Sequence, residues 1–361
     1  DTPVNLTSSA VNITYTVTPT GPASTFCVGS PFTIVVTVNP NPSFTVTNSA
    51  ATICSGDATS LLFNSATTGH QINVVSVNYN GAGNPGTLTP GVTTFTNAGT
   101  LTETLTNGTN APIDVVYEFN VTTPGTNPDC PLVPVSQFVT VRVNPVPDVA
   151  ATAQSICSGG TSNMVLSNPN AVTGTSYSWT IGTVTGGATG QSAGSGTVIS
   201  QTITAAAGGS VEYLITPSVS GCPGTTISRL VTIDAIPVGN SVAVGTHEIC
   251  SGTSLNITPT LSVGTGTFAW SGSNGSGGTG NITDTPVNLT SSAVNITYTV
   301  TPTGPTSTFC VGAPFTIVVT VNPNPSFTVT NSAATICSGD ATNLLFNSAT
   351  TGHQINVVSV N

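Results

Sequence analysis

The sequence predicts an all-β protein built as a tandem string of β-sandwiches, and three observations carry that reading. Thr, Ser, Asn, Gly and Val dominate while Lys is absent and Glu, Arg, Met and Leu are scarce, so strand and turn formers outnumber helix formers. Apolar and polar residues alternate along short segments, the period of a strand with one buried face. The chain also repeats itself: Asp1 to Asn78 returns as Asp284 to Asn361 with three differences, Ala23 against Thr306, Ser30 against Ala313 and Ser60 against Asn343. A period of 283 residues that begins and breaks off inside a unit reads as a window cut from a longer array.

Inside the long period lies a finer one, marked by Ile-Cys-Ser-Gly at Ile53–Gly56, Ile156–Gly159, Ile249–Gly252 and Ile336–Gly339. The cysteine intervals of 103, 93 and 87 residues together make one long period, which is therefore three modules. Each module closes on an alternating strand: Phe32 to Val38, Phe138 to Val143, Ile227 to Ile233 and Phe315 to Val321. Each strand then meets a proline-bearing segment, with Pro40 and Pro42, Pro145 and Pro147, Pro237, or Pro323 and Pro325. Proline fixes φ and cannot donate to a ladder, so these are short stiff linkers. The expected division is residues 1–43 as the C-terminal part of a module, three modules at 44–147, 148–237 and 238–325, and residues 326–361 as the N-terminal part of another.

The strand before each closing strand carries a recurrent tyrosine, at Tyr15, Tyr117, Tyr213 and Tyr298, with Pro19, Pro217 and Pro302 four residues on in three of the four. It is either the corner tyrosine of an immunoglobulin-like sandwich, whose hydroxyl reaches upstream backbone, or a large residue filling the core. Mid-module, Tyr177, Trp179 and Ile181 alternate, as do Phe268 and Trp270; these aromatics belong between two sheets. With a rise of roughly 3.3 Å per residue, each bead would be about 35 to 40 Å long and a three-bead period about 110 Å, an extended rod.

Eight cysteines form two series: Cys54, Cys157, Cys250 and Cys337 in the Ile-Cys-Ser-Gly turns, and Cys27, Cys130, Cys222 and Cys310 in the loops before the closing strands. Regular pairs in an acidic, Thr-rich chain point to an oxidising, extracellular setting. Pairing within modules joins Cys54 to Cys130, Cys157 to Cys222 and Cys250 to Cys310, and leaves Cys27 and Cys337 to partners outside the window. Each such bridge closes a loop of 60 to 76 residues and adds about 2 to 4 kcal/mol. Against this stands a geometric objection: in a sandwich, the turn after the first strand and the loop before the last lie at opposite ends. On that mapping, Cys54 pairs with Cys222 and Cys157 with Cys310, riveting neighbouring beads. Pairs 27 or 28 residues apart and free thiols are the remaining options.

Charge narrows the function. With two Arg against twelve acidic residues and a net charge of −10, no basic patch exists to hold nucleic acid or an anionic membrane. No run of about 18 apolar residues occurs, so no membrane insertion is expected in this segment. Gly81-Ala82-Gly83-Asn84-Pro85-Gly86 has dinucleotide-fingerprint spacing and Gly190-Gln191-Ser192-Ala193-Gly194 that of a nucleophile elbow, but neither leads into a helix. The histidines, His70, its copy His353, and His247, read as lone surface residues. No Cys-x-x-Cys and no calcium loop is present, so no metal, cofactor or catalytic residue is expected. A calcium ion between beads would have to draw on Asp57 or Asp148. Eight Asn-x-Ser/Thr triplets, at Asn5, Asn12, Asn107, Asn120, Asn274, Asn281, Asn288 and Asn295, are glycosylation acceptors by pattern alone. Arg229 takes an inward position of its strand and is expected to snorkel outward.

Modules that open on Ile-Cys-Ser-Gly, carry Ser-Tyr-Ser-Trp-Thr (Ser176–Thr180), then Tyr-x-x-Thr-Pro (Tyr213–Pro217), Gly221-Cys222 and a Val-Thr-Val-Asn-Pro-type close resemble the PKD-like, immunoglobulin-like repeats of giant Bacteroidetes surface proteins. The resemblance covers the whole chain. It implies type IX secretion and display on the cell surface, as in adhesins of gliding bacteria and filament or hook proteins of predatory gliders. It brings no catalytic residue. The expected role is a structural repeat segment of a very long extracellular adhesin or filament that holds a binding tip off the cell for attachment, gliding or prey capture. Its partners would be neighbouring repeats, and identical chains in a homo-oligomeric filament. A polysaccharide-binding array is the alternative, and it needs exposed aromatics where Trp179 and Trp270 sit in core register.

Overall fold

The computed structural model describes residues 1–83, 88–96, 98–124, 130, 136–244 and 247–360, with the side chains of 241–244 left aside. Among these residues there is no helix, and short strands, mostly antiparallel, account for the regular structure. Contacts divide the chain into two compact units. One is Asp1–Ala150 with Leu166–Ser178 and Ile215–Ile227; the other is Ala151–Val165 with Trp179–Leu214 and Ser228–Asn361.

In the first unit, a five-stranded sheet runs in the order Thr52–Cys54, Gln137–Asn144, Ile113–Thr122, Gln71–Asn78, Thr94–Phe95. A three-stranded sheet of Thr45–Asn48, Leu61–Asn64 and Thr100–Leu101 completes the sandwich. Alternation explains the core: Ile113, Val115, Tyr117, Phe119 and Val121 all point inward from one strand and meet Leu61, Phe63 and Leu101 from the other sheet. Phe63 stacks on Phe95 and meets Phe119 edge-on. In the closing strand, Val139, Val141 and Val143 face inward and Phe138 is left exposed. The inward register there starts one residue away from that phenylalanine.

The second unit repeats the plan. Glu248–Cys250, Phe315–Asn322, Val294–Thr303, Thr267–Gly272 and Gly277–Thr279 form a five-stranded sheet, and Val238–Val244, Leu255–Val263 and Ile282–Asp284 a three-stranded one. Ile257, Trp270, Ile282, Tyr298, Val300, Val319 and Val321 fill its core. Between residues 154 and 234, a six-stranded sheet orders Gln154–Cys157, Ile227–Asp234, Gly209–Val219, Ser176–Thr185 and Gly194–Ser195, with Cys222–Pro223 paired to Gly209–Val219. Val11–Val17 pairs with Phe32–Val38, and Thr328–Asn331 with Leu344–Asn347.

The tryptophans lie in the core, as their register requires. Trp179 and Trp270 donate Nε1–H to the carbonyls of Ser192 and Asn281, and each ring covers an edge-strand glycine. A Cβ on Gly194 or Gly278 would lie 2.8 Å from the ring.

One pairing decides where the cysteines go. The Ile-Cys strand joins the closing strand of its own sandwich in parallel: Cys54 is level with Asn144, Cys157 with Asp234 and Cys250 with Asn322. Parallel strands end at the same side of a sheet. The turn cysteine therefore emerges beside the proline linker, facing what comes next in the chain.

Candidate functional site: the junction between sandwiches

Each residue of Ile-Cys-Ser-Gly has a separate task. Ile53 is buried in the core, and Ile249 packs against its own core. The serine N–H donates to the carbonyl of the last closing-strand residue, Ser55 to Asn144 at 2.8 Å, Ser158 to Asp234 at 2.9 Å and Ser251 to Asn322 at 2.8 Å. Its hydroxyl accepts from the opposite loop, from the N–H of Asn107, Ala205 or Asn288. The glycine turns the chain at positive φ (Gly56 +98°, Gly159 +82°, Gly252 +78°), which favours a residue with no Cβ. That leaves the cysteine side chain pointing out of the end of the sandwich.

Cys54 bridges Cys222, and Cys157 bridges Cys310, with Cα–Cα separations of 5.4 and 5.6 Å. The within-module pairings of Cys54 with Cys130, Cys157 with Cys222 and Cys250 with Cys310 are not formed. The reason is the parallel pairing: turn cysteine and hairpin cysteine of one sandwich lie at opposite ends, and each reaches the neighbour instead. Cys27, Cys250 and Cys337 are exposed and unbridged.

The partner cysteine is delivered by a hairpin. At the first junction a two-residue turn, Ser220 (φ +48°) and Gly221 (φ +83°), brings Cys222 level with Val219, the backbone that type I′ hairpins require. At the second the loop is longer, with Phe309 N–H donating to Pro305 O and Gly304 N–H to Cys310 O at 2.7 Å. Two residues beyond each cysteine a glycine packs on the linker. A Cβ on Gly224 would lie 1.9 Å from Pro147 O, and one on Gly312 1.9 Å from Pro237 O. The same glycines donate N–H to Pro217 O and Pro302 O, the prolines four residues after the tyrosine. Pro40, Pro42, Pro145, Pro147 and Pro237 are buried, Pro323 is half-buried and Pro325 exposed. At the second junction Asp234 also accepts the hydroxyls of Ser307 (2.9 Å) and Thr308 (2.7 Å).

Tyr117, Tyr213 and Tyr298 are fully buried core residues and Tyr15 is half-buried, and the partner of each is a side chain rather than upstream backbone. Tyr15 donates to Asp1 (2.6 Å), Tyr117 to Glu103 (2.8 Å), Tyr213 to Gln201 (2.8 Å) and Tyr298 to Asp284 (2.7 Å). Glu103 is buried and accepts from Tyr79 as well. Burial pushes the Tyr117 and Tyr298 hydroxyls well up, and the hydrogen bonds to their carboxylates add to it. Tyr213, facing a neutral amide, is pushed up to about 12 by burial. Burial also pushes the Asp284 carboxyl up, but hydrogen bonds from Tyr298, Asn274, Ser276 and the Thr285 N–H outweigh it and hold the group below its ordinary value. An acid 14 residues before the tyrosine was the sequence signal for three of these pairs.

Other sequence candidates resolve locally. Asn5, Asn107 and Asn288 are Asx turns: Oδ1 accepts from Thr two residues on, and Nδ2 donates to two backbone carbonyls, for Asn107 those of Ala111 and Val143. The Asn-x-Thr pattern there is a turn signature, and the nitrogen that a glycan would need is occupied. His70 and His353 are half-buried, each with Nδ1 on a threonine carbonyl, rather than free at the surface. Asp57 accepts the Cys54 N–H. Arg229 donates Nε–H to Ala151 O. Ser192, the would-be nucleophile, lies in a loop held by Gln201, with strand Gly194–Ser195 following where a helix would be needed. Asn84, Pro85 and Gly86 of the glycine-rich segment lie outside the described residues. Among the described residues, no group of three His, Cys, Asp or Glu could hold a metal ion, and no helix is long and apolar enough to cross a membrane.

Fold and junction together define a tandem immunoglobulin-like protein whose successive sandwiches are joined by disulfides. Residues 1–42, 154–237 and 247–325, more than half of the chain, match the family described as the PKD-like domain, and the chain belongs to that family. No curated protein matches it. Solved structures similar to it include an I-band fragment from titin, at 7% identity over 80% of this chain and 100% of that one, with a TM-score of 0.41. Mouse cadherin-23 EC22-24 is 10% identical over 79% of this chain and 99% of that one, with a TM-score of 0.29. The human desmocollin-1 ectodomain is 10% identical over 90% and 70%, with a TM-score of 0.28.

Proposed function

We propose that this chain is a load-bearing structural segment of a long extracellular surface adhesin or filament, holding a binding tip away from the cell for attachment, gliding or prey capture. The observation that supports it is the pair of disulfides running across the junctions rather than within the sandwiches. A bridge inside a module stabilises that module; a bridge between modules fixes how two modules pass force to each other. Disulfides persist in oxidising compartments, which supports a place outside the cytoplasm; display on the cell surface is part of the proposal. Export by type IX secretion in a Bacteroidetes gliding or predatory cell, and assembly of identical chains into a filament, belong to the same reading.

The test is an exchange in the producing cell of this segment for an unrelated string of immunoglobulin-like domains of equal length. Attachment survives the exchange and falls when the segment is deleted outright, if the segment is a spacer. Loss of attachment on exchange, with binding of the isolated chain to a glycan array, would instead identify a polysaccharide-binding array.

A further inference from the structure

The Cys250 end of the last complete sandwich is built like the two that carry bridges, yet its cysteine is exposed and unbridged. Its turn has the same parallel pairing (Cys250 with Asn322), the same Ser251 N–H to Asn322 O bond and the same left-handed glycine as at Cys54. Beside Cys250 lies a recess of about 640 Å³ lined by Glu248, Cys250, Thr253, Leu255 and Asn322. Its counterpart beside Cys54 is a recess of about 550 Å³ whose lining includes Ser220, Gly221 and Cys222, the hairpin of the neighbouring sandwich. The lining of the first recess comes entirely from its own sandwich and closing strand, whereas that of the second includes the neighbour's hairpin.

What should fill it follows from the neighbour already in place. At the first junction the Thr173 N–H donates to Asn110 O at 3.1 Å. At the Cys250 end, Thr351, from the segment carrying strands Thr328–Asn331 and Leu344–Asn347, donates in the same way to Ser291 O at 3.2 Å. Asn324 Nδ2 donates to Ser251 O at 3.1 Å and holds the linker against the turn. The start of the next module thus makes the same kind of backbone contact here as Thr173 makes at the bridged junction.

We propose that the recess at Cys250 seats the cysteine hairpin of the module opened by Thr328–Asn331 and Leu344–Asn347, and that Cys250 closes a third bridge to it. Residues 326–361 repeat 43–78, so the hairpin is the counterpart of the one carrying Cys130. Cys130 stands at the same hairpin position as Cys310, with Thr123 N–H donating to its carbonyl at 2.9 Å. Closing the bridge removes one proton from each thiol and two electrons from the pair, which pass to a disulfide of an oxidoreductase that leaves as a dithiol. The inference rests on the reading of the chain as a riveted structural segment and extends it to one bridge per junction.

The native protein, alkylated with iodoacetamide without reduction and digested, should yield the Cys250 peptide linked to a peptide containing Pro128-Asp129-Cys130-Pro131 or its repeat. The unreduced chain should run as a monomer under denaturing conditions. Recovery of Cys250 as an alkylated thiol, or linked to a Cys27 peptide within a dimer, would overturn the third bridge. If Cys54–Cys222 and Cys157–Cys310 are found while Cys250 is free, only this inference fails. If those two are missing as well, the riveted segment itself fails.

Discussion

The two bridged junctions share some parts and differ in others, and the difference separates what a junction needs from what it tolerates. Both have a turn cysteine set by parallel strand pairing, a hairpin cysteine, and a glycine two residues on lying against a linker carbonyl. They differ in the hairpin: a two-residue turn at Ser220–Gly221, and a longer loop before Cys310 that Asp234 ties down through Ser307 and Thr308. A tight hairpin positions its cysteine by backbone geometry alone. A longer one has more conformations to lose, and an added pair of hydrogen bonds to a carboxylate offsets that loss.

The largest effect should come from the shared part. Cys54→Ser or Cys157→Ser should each lower stability in denaturant unfolding by about 2–5 kcal/mol, and the difference from the parent should vanish in reductant. A loss confined to one junction would break the equivalence. Gly224→Ala and Gly312→Ala should each cost about 1–3 kcal/mol through overpacking against the linker carbonyl. Equal losses at the two junctions, read by the same unfolding, are the expected outcome, and an unequal pair would mean that the close approach matters at only one of them.

Next come the tyrosines behind the junctions. Tyr117→Phe takes a donor from a buried carboxylate and Tyr213→Phe from a neutral amide, so the first should cost more, with both within about 1–3 kcal/mol. Tyr213 also gives a pH signature. Its hydroxyl is neutral in both states below the unfolded value of 10, so its contribution is fully present there, and it is lost as pH rises from 10 towards about 12. Unfolding measured across that range should flatten in Tyr213→Phe relative to the parent. Smallest is Asp234→Ala, which should cost about 1 kcal/mol and increase the reducibility of Cys157–Cys310 while leaving Cys54–Cys222 unchanged.

Much of this architecture was legible in the sequence because it is periodic. The alternation in Ile113–Thr122 and Val294–Thr303 placed the core residues, and the spacing of Ile-Cys-Ser-Gly placed the turns. The disulfide partners were harder to read, because pairing depends on whether the first and last strands of a sandwich run parallel, which no local pattern states. The tyrosine's acid was missed for a related reason: Glu103 and Asp284 look like scattered carboxylates until the fold brings residues 14 positions apart together.

The most direct measurement on the central claim, that force passes between sandwiches through covalent bridges, is the stretching of a single chain under oxidising and then reducing conditions. The two bridges overlap in sequence, so the shortest covalent path runs to Cys54, across to Cys222, back to Cys157, across to Cys310 and onward. With both closed, the fully unfolded chain should extend to less than half its reduced length. Equal extension in the two conditions would contradict the claim outright.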